Sequence, residues 1–219
     1  LLIVAAVGLG DSAPRADLVY VNPSGIHTLD PARMSWTQDF RVAINLWEGL
    51  TTLDPQTVKP MGGAAHFPPE ISADGKTYRF RIRDDARWSN GDRVAADDFV
   101  RGWRRAIEPG TARDYAFLLV DHIEGAGRYA EWRRRGVADL ADMRAAPVDS
   151  EGDAESAALA YLRQHASELD ARFGEVGVRS GSANELIVEL AQPCAYFLDL
   201  VALPAFLPCH ESIERLRVR

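Results

Sequence analysis

Apolar and polar residues alternate in several short segments of this chain, and each such segment predicts a β-strand. The clearest is 77–83, in which Tyr78, Phe80 and Ile82 alternate with three arginines and therefore form one apolar face. The Asp-Gly turn before it predicts a hairpin with 70–72. The other segments with a strand-like pattern are 17–22, 50–53, 57–60, 176–179 and 186–190.

Apolar residues at three- and four-residue spacings predict helices. In 95–107 this spacing aligns Phe99, Trp103 and Ile107 in one stripe, and a Pro-Gly pair then ends the helix. The predicted helices are 37–50, with a stripe of Phe40, Ile44 and Trp47, and then 95–107, 123–135, 151–173 and 193–203. Because strands and helices follow no regular alternation, the predicted fold class is α+β, a mixed sheet with flanking helices and small hairpins.

One region between these helices has a different composition. Residues 137–150 are rich in Ala, Asp and Pro, which predicts a loop. The helix at 151–173 follows, and its apolar stripe should be its buried side. We expect Leu159, Leu162, Leu169 and Phe173 to be buried, and Arg163, Glu168 and Arg172 to be exposed.

The composition is that of a folded globular protein, with 219 residues of which 47% are apolar and 26% charged. Its net charge of −7 argues against a nucleic-acid-binding protein, which needs a strong basic field. The most apolar run, 1–10, is shorter than the roughly 20 residues of a membrane helix. We interpret 1–16 as the remnant of a secretory signal peptide, with a buried first strand as the alternative.

Residue types that commonly carry catalysis are present but are not grouped into a motif. No nucleophile motif, phosphate-binding loop or dinucleotide-binding motif occurs, and the histidines are not spaced as metal ligands. The histidines are His27, His66, His122, His165 and His210. Nothing in these residues argues for an enzyme or for a bound metal or other cofactor, and a hydrolase, which would need a nucleophile and a base placed together, stays open as an alternative.

The chain has two cysteines, Cys194 and Cys209, without the spacing of a zinc site. In an exported protein they could form a disulfide bond. Otherwise they are two small buried apolar residues, and the sequence leaves both alternatives open.

Three stretches, 28–54, 72–119 and 176–209, together resemble the family 5 extracytoplasmic solute-binding proteins, which serve oligopeptide, dipeptide and nickel ABC importers. The middle stretch is the most specific, because DGKTY, WSNG and VAADDFV occur there in the family's order. The resemblance covers about half of the chain, and it departs from the family at 64–72.

This resemblance implies a two-lobed clamp that binds its ligand between the lobes. Residues 17–219 would be an incomplete N-terminal lobe with a helical insertion at about 138–174. The implied function is capture of oligopeptides or dipeptides outside the membrane, by a periplasmic or otherwise exported monomer that delivers them to a membrane permease. Two alternatives stay open: a sensory or regulatory domain of the same type, and a binder of nickel or another small solute.

The resemblance also implies which residues touch a peptide. The loop after the Leu-Asp-Pro turn corresponds to Ser35, Trp36 and Thr37, and the segment EPGTARDY places an aromatic residue at Tyr115. Trp36 could instead pack the start of a helix, and Tyr115 could instead belong to the core. With one wall of a clamp, the chain alone should bind peptide weakly or not at all.

Overall fold

The computed structural model describes residues 21–22, 24–111, 114–145 and 151–215. The helices are α1 Thr37–Leu46, α2 Ala96–Ile107, α3 Phe117–Val120, α4 Ala126–Ala145, α5 Glu151–Phe173, α6 Phe197–Leu200 and α7 Glu211–Arg215. The strands are β1 Thr51–Leu53, β2 Pro60–Gly62, β3 Glu70–Ile71, β4 Thr77–Arg81, β5 Val178–Ser182 and β6 Glu185–Glu189. Two short 3₁₀ turns occur at Pro31–Arg33 and Pro204–Phe206.

The centre of the fold is a four-stranded sheet in the order β3-β4-β6-β5. All its ladders in the described residues are antiparallel, which corrects the predicted mixed sheet, because each pair of neighbouring strands runs in opposite directions. β4 and β6 pair Tyr78 with Val188 and Phe80 with Leu186, and all four side chains are buried. The alternating pattern of β4 therefore places one face of the strand in the core, as predicted, with Ile82 buried just beyond its end. β1 and β2 form a separate hairpin near the position that the sequence indicated.

Helix α2 packs on this sheet through Phe99, Trp103 and Ile107, which are buried as the periodicity predicted. The Trp103 indole N–H donates a hydrogen bond to the Phe206 carbonyl at 2.7 Å, which ties α2 to the second 3₁₀ turn. Asp98, in the first turn, accepts from the Ala95 amide at 3.0 Å and so caps the helix.

Helices α4 and α5 form an antiparallel helical pair, and this part of the chain corrects two predictions. Residues 137–145, predicted as a loop, continue α4, while 146–150 lie outside the described residues. α5 spans 151–173 as predicted, but Leu159 and Leu162 are 47% and 37% exposed.

The side of α5 that faces α4 is displaced from the leucine stripe. Ala158 and Phe173 are buried, while Tyr161 and His165 contact Asp139 and Trp132 of α4. Phe173 is thus buried as predicted, and Arg163 and Arg172 are exposed as predicted, whereas Leu169 and Glu168 are both half-buried. Aromatic stacking and Tyr161–Asp139 hydrogen bonding, rather than leucine packing, select the face that α5 presents.

Other predictions at the two ends of the chain are corrected or untested. The helix expected at 193–203 is reduced to α6, and the buried stripe of α1 fails at Ile44, which is exposed. Of the strand predicted at 17–22, only 21–22 are described and they are not in a strand; the proposed signal remnant at 1–16 lies outside the described residues.

Cys194 and Cys209 are not joined by a disulfide bond. Cys194 is buried in the main core, where its carbonyl oxygen accepts from the Tyr78 hydroxyl at 3.3 Å. Cys209 lies instead against α2, where its carbonyl oxygen accepts from Arg101 Nε at 2.9 Å. The two cysteines therefore belong to different local environments, which excludes the disulfide alternative in this structure.

Candidate functional site

The Leu-Asp-Pro turn is anchored to α2 by a partly buried ion pair between Asp30 and Arg105. Asp30 Oδ2 lies 2.6 Å from Nη2 of Arg105, whose side chain is almost entirely buried. Asp30 Oδ1 also accepts from the Ala32 amide at 3.2 Å, and Pro31 begins the 3₁₀ turn. Because both carboxylate oxygens of Asp30 are bound, one to Arg105 and one to the Ala32 amide, the position of the turn before α1 is fixed relative to α2.

The three consecutive residues predicted to contact peptide lie at the start of α1. Trp36 has an extended backbone conformation, and its carbonyl oxygen accepts from the amides of Asp39 and Phe40 at 3.0 and 3.1 Å. Ser35 is half-buried and Thr37 is exposed. The Trp36 side chain is 57% exposed, so packing of the helix start does not account for this tryptophan.

One face of the Trp36 ring is covered by His27, which sequence analysis did not select. The two rings are stacked, with centroids 5.3 Å apart and planes inclined by 20°. Gln38 Nε2 lies 3.2 Å from His27 Nδ1, and the His27 amide donates to Asp39 Oδ1 at 2.8 Å. His27 is therefore held by two consecutive residues of α1, its ring by Gln38 and its backbone by Asp39, while the ring packs against the indole.

Asp39 is the buried anchor of this arrangement. Its side chain is 0% exposed. Oδ2 is buried with no hydrogen-bond partner among the described residues. Its first-turn position suits a carboxylate, because the helix dipole is positive there.

Tyr115 is connected to the same helix through Phe40. Its ring centroid lies 5.2 Å from that of Phe40 and 6.3 Å from that of Phe117. Tyr115 is half-buried and packs against the main core, so the core interpretation is partly correct, while Phe117 is 50% exposed. Trp36 and Tyr115 are thus both attached to the first half of α1, and Phe117 extends the aromatic surface on the Tyr115 side.

A separate open groove of about 1020 Å³ lies near the second half of α1. Trp47 and Trp88 line it, together with the Asp30–Arg105 pair. None of the four predicted contact residues lines this groove. The protein therefore offers two distinct surfaces that a ligand could use, and an experiment must be able to tell them apart.

A hydrogen-bonded Asp-His-Ser arrangement lies at the rim of the groove. His210 Nε2 is 3.0 Å from Asp92 Oδ2, and Nδ1 is 2.9 Å from Ser212 Oγ. The Ser212 amide also donates to His210 Nδ1 at 3.2 Å. The same ring nitrogen thus accepts from the backbone at the start of α7, so these contacts form a helix cap.

Among the residues that the structure describes, no group of three or more His, Cys, Asp or Glu side chains is placed to hold a metal ion. Within the same residues, no helix combines the length and the apolar character that crossing a membrane requires.

The protein is similar over most of its length to peptide-binding proteins of bacteria. It is 28% identical over 97% of the chain to the dipeptide-binding protein of Lactococcus lactis, covering 31% of that protein. It is 33% identical over 90% of the chain to the periplasmic oligopeptide-binding protein OppA of Escherichia coli, covering 29% of it. The chain thus spans about 30% of the length of the curated relatives it matches.

The fold is shared with a solved structure of the same type. The structure of Listeria monocytogenes OppA bound to peptide matches with a TM-score of 0.66 and 27% sequence identity. The match covers 88% of this chain and 30% of the Listeria protein. The α+β arrangement described above therefore matches part of an OppA-type binding-protein structure.

A family model confirms this relationship over most of the described residues. The model for "Bacterial extracellular solute-binding proteins, family 5 Middle" matches residues 55–214, which is more than half of the chain. Together with the shared fold, this match confirms the resemblance carried by the DGKTY, WSNG and VAADDFV segments. The chain belongs to the family 5 bacterial extracellular solute-binding proteins.

Proposed function

We propose that this chain supplies one wall of a peptide-binding clamp that captures oligopeptides or dipeptides for an ABC importer. The observation that carries the proposal is the exposed Trp36 at the start of α1, held in place by His27 where the family resemblance places a peptide contact. Relatives named for dipeptide and oligopeptide binding support the same ligand class. The proposed activity is binding and delivery, without catalysis.

The proposed contacts divide into backbone and aromatic contributions. The N–H groups of the N-cap Trp36 and of Thr37 have no intrahelical acceptor, and Trp36 has an extended backbone, so the segment from Ser35 to Thr37 can pair with a peptide main chain. Such pairing gives affinity without selecting a peptide sequence. Tyr115, supported by Phe40, would add an aromatic edge.

The wider biological setting is part of the proposal. Residues 17–219 would be an N-terminal lobe, with a second lobe closing over the ligand and a membrane permease receiving it. The helical insertion at about 138–174, which includes the end of α4 and all of α5, is proposed as a decoration of this lobe. Export to the periplasm or another extracytoplasmic location is also proposed, and the name of the periplasmic Escherichia coli relative and the interpretation of 1–16 as a signal remnant support it.

The experiment that tests the proposal is a titration of the 219-residue chain with the peptide Ala-Ala-Ala, followed by NMR of ¹⁵N-labelled tryptophan. The chain has five tryptophans, and the Trp36 indole signal is assigned with the variant Trp36→Phe. We expect the Trp36 signal to shift only at high peptide concentration, with a dissociation constant weaker than the millimolar range. A single wall supplies a few hydrogen bonds of about 1 kcal/mol each, against an association cost of at least about 4 kcal/mol.

The same spectrum reports on the competing groove, because Trp47 and Trp88 line it. Shifts confined to those two signals would move the proposed site to the groove, and the absence of any shift would contradict the proposal. Micromolar affinity would contradict the one-wall interpretation, since it requires a ligand covered on most sides.

A further inference from the structure

We propose that the His27-supported indole of Trp36 is a side-chain subsite that selects peptides with an aromatic residue. This inference rests on the proposed function and adds specificity to it. Backbone pairing at Ser35 to Thr37 cannot distinguish peptide sequences, so a preference must come from a side chain of the protein.

The first argument is the geometry of the stack. His27 covers one face of the indole at a centroid distance of 5.3 Å, yet Trp36 remains 57% exposed. The uncovered part of the ring is therefore an apolar surface at the position of the proposed peptide backbone. An aromatic side chain that stacks there would continue the arrangement that His27 begins.

The second argument is the rigidity of the support. The His27 ring is fixed by Gln38, at 3.2 Å, and its backbone amide by the buried Asp39, at 2.8 Å. A preformed surface costs less conformational entropy on binding than one that must be ordered by the ligand. His27 is thus a positioning residue, because it acts on the ligand through the Trp36 ring.

The third argument concerns charge. A lysine or arginine side chain could also lie over an indole. However, the exposed charged residues nearest to Trp36 in the sequence are two arginines, Arg33 and Arg41, which disfavours a second cation in this part of the surface. The Asp39 carboxylate lies 3.8 Å from His27 Nδ1 and is fully buried, so it cannot form a direct ion pair with a cation of the ligand. A neutral aromatic ring avoids this repulsion.

The test compares the peptides Ala-Phe-Ala, Ala-Lys-Ala and Ala-Ala-Ala on the 219-residue chain by the tryptophan NMR titration. We expect Ala-Phe-Ala to bind about tenfold more tightly than Ala-Ala-Ala, the advantage of one added aromatic contact. Ala-Lys-Ala should gain no such advantage. In the variant Trp36→Ala, binding is monitored through the backbone signals of α1. Its dissociation constant for Ala-Phe-Ala should lie within twofold of that for Ala-Ala-Ala.

The chain offers a matched control in Tyr196, which is 55% exposed and also contacts a histidine, His122, in an edge arrangement. Tyr196→Ala should leave the preference for Ala-Phe-Ala unchanged. His27→Ala should reduce the preference, and His27→Phe, which keeps a ring against the indole, should restore it. A purely structural role of His27 would change the affinity for all three peptides equally.

Failure of this inference is distinct from failure of the proposed function. Equal affinity for Ala-Phe-Ala and Ala-Ala-Ala, with a shifted Trp36 signal, would overturn the subsite and leave the peptide wall in place. Tighter binding of Ala-Lys-Ala would overturn the aromatic selectivity. If no peptide shifts the Trp36 signal, both the proposed function and the subsite are overturned.

Discussion

The imidazole of His165 lies flat against the indole of Trp132, with ring centroids 4.0 Å apart and planes inclined by 8°. Tyr161 stacks on the same imidazole at 5.6 Å. His165 Nε2 is buried and has no hydrogen-bond partner among the described residues. The packing of α5 on α4 therefore uses a histidine as an aromatic ring, and this has consequences that can be measured.

The first prediction concerns the pH dependence of stability. Burial, together with the nearby positive charge of Arg133, holds the pKa of His165 below its ordinary value of 6.5. The carboxylates of Glu168, Asp139 and Glu108 oppose this shift but do not outweigh it. The folded protein therefore favours the neutral ring, while the unfolded chain takes up a proton near pH 6.5.

It follows that this contribution to stability is complete above pH 6.5 and is lost as the pH falls below it, towards the pKa of the folded state. Urea unfolding at pH values above and below 6.5 measures the effect as a change in the unfolding free energy. His165→Phe should reduce the pH dependence, whereas His66→Gln, at an exposed position, should not. An unchanged pH dependence in His165→Phe would contradict the assignment.

The second prediction concerns Gly136, which faces the same ring. A Cβ atom at this position would lie 2.2 Å from His165 Cε1, so Gly136→Ala should destabilise the protein by about 1–3 kcal/mol. In a His165→Ala background the clash is absent, and Gly136→Ala should instead be neutral or stabilising by up to about 1 kcal/mol.

Gly127 provides the control in the same helix, because its nearest contact would be the Val120 carbonyl oxygen at 3.5 Å. Gly127→Ala should not destabilise the protein. Thermal unfolding of the four variants, Gly136→Ala, His165→Ala, their combination and Gly127→Ala, separates the clash from the general effect of alanine in a helix. Equal destabilisation by Gly136→Ala with and without His165 would exclude the contact as the cause.

The third prediction concerns Asp98, whose buried carboxylate contacts Trp88, Ala95 and Arg101. Oδ2 accepts from the Trp88 indole at 2.8 Å and from the Ala95 amide, and Oδ1 lies 2.6 Å from Arg101 Nη2. Asp98→Ala should cost about 2–4 kcal/mol, because a helix cap is lost and a partly buried indole N–H loses its acceptor.

The neighbouring Asp97 is the control, since it is exposed and bonds only to the Ser180 hydroxyl among the contacts described. Asp97→Ala should cost less than about 1 kcal/mol. Urea unfolding followed by tryptophan fluorescence measures both variants. Similar losses for the two would show that the cap and the Trp88 hydrogen bond contribute little.

The fourth prediction concerns the ion pair that anchors the turn before α1. Asp30→Ala would leave the nearly buried Arg105 guanidinium without this carboxylate, and should cost about 3–5 kcal/mol. The double variant Asp30→Ala, Arg105→Met should be more stable than Asp30→Ala alone, because it leaves no buried charge without its counter-ion.

An exposed pair gives the comparison. Glu124 and Arg128, 3.2 Å apart on the surface of α4 and the turn before it, should show a coupling energy below about 1 kcal/mol in the same double-mutant cycle. If Asp30 and Arg105 were coupled no more strongly than this exposed pair, the anchoring role would be wrong.

The local pattern of apolar residues was sufficient to predict the buried face of two elements. β4 and α2 have the predicted buried residues because their apolar stripes are wide and pack on a continuous core. The positions of Trp36 and Tyr115 were also available from the sequence, through the resemblance of their flanking motifs. His27 was not, because its contact with Trp36 depends on how the chain turns through the Leu-Asp-Pro segment.

The sequence by itself determined the α+β class, the bounds of α5, the alternation of β4 and the family to which the chain belongs. Only the tertiary structure decided which face of α5 is buried. His165 occupies the space beside Gly136 and stacks on the ring of Trp132, and this contact turns the leucine stripe away from α4. It likewise decided that Cys194 and Cys209 stay in separate surroundings and that His27 supports Trp36. Helical periodicity is a property of neighbours in the chain, whereas the buried face depends on the shape and chemistry of the surface that the helix meets.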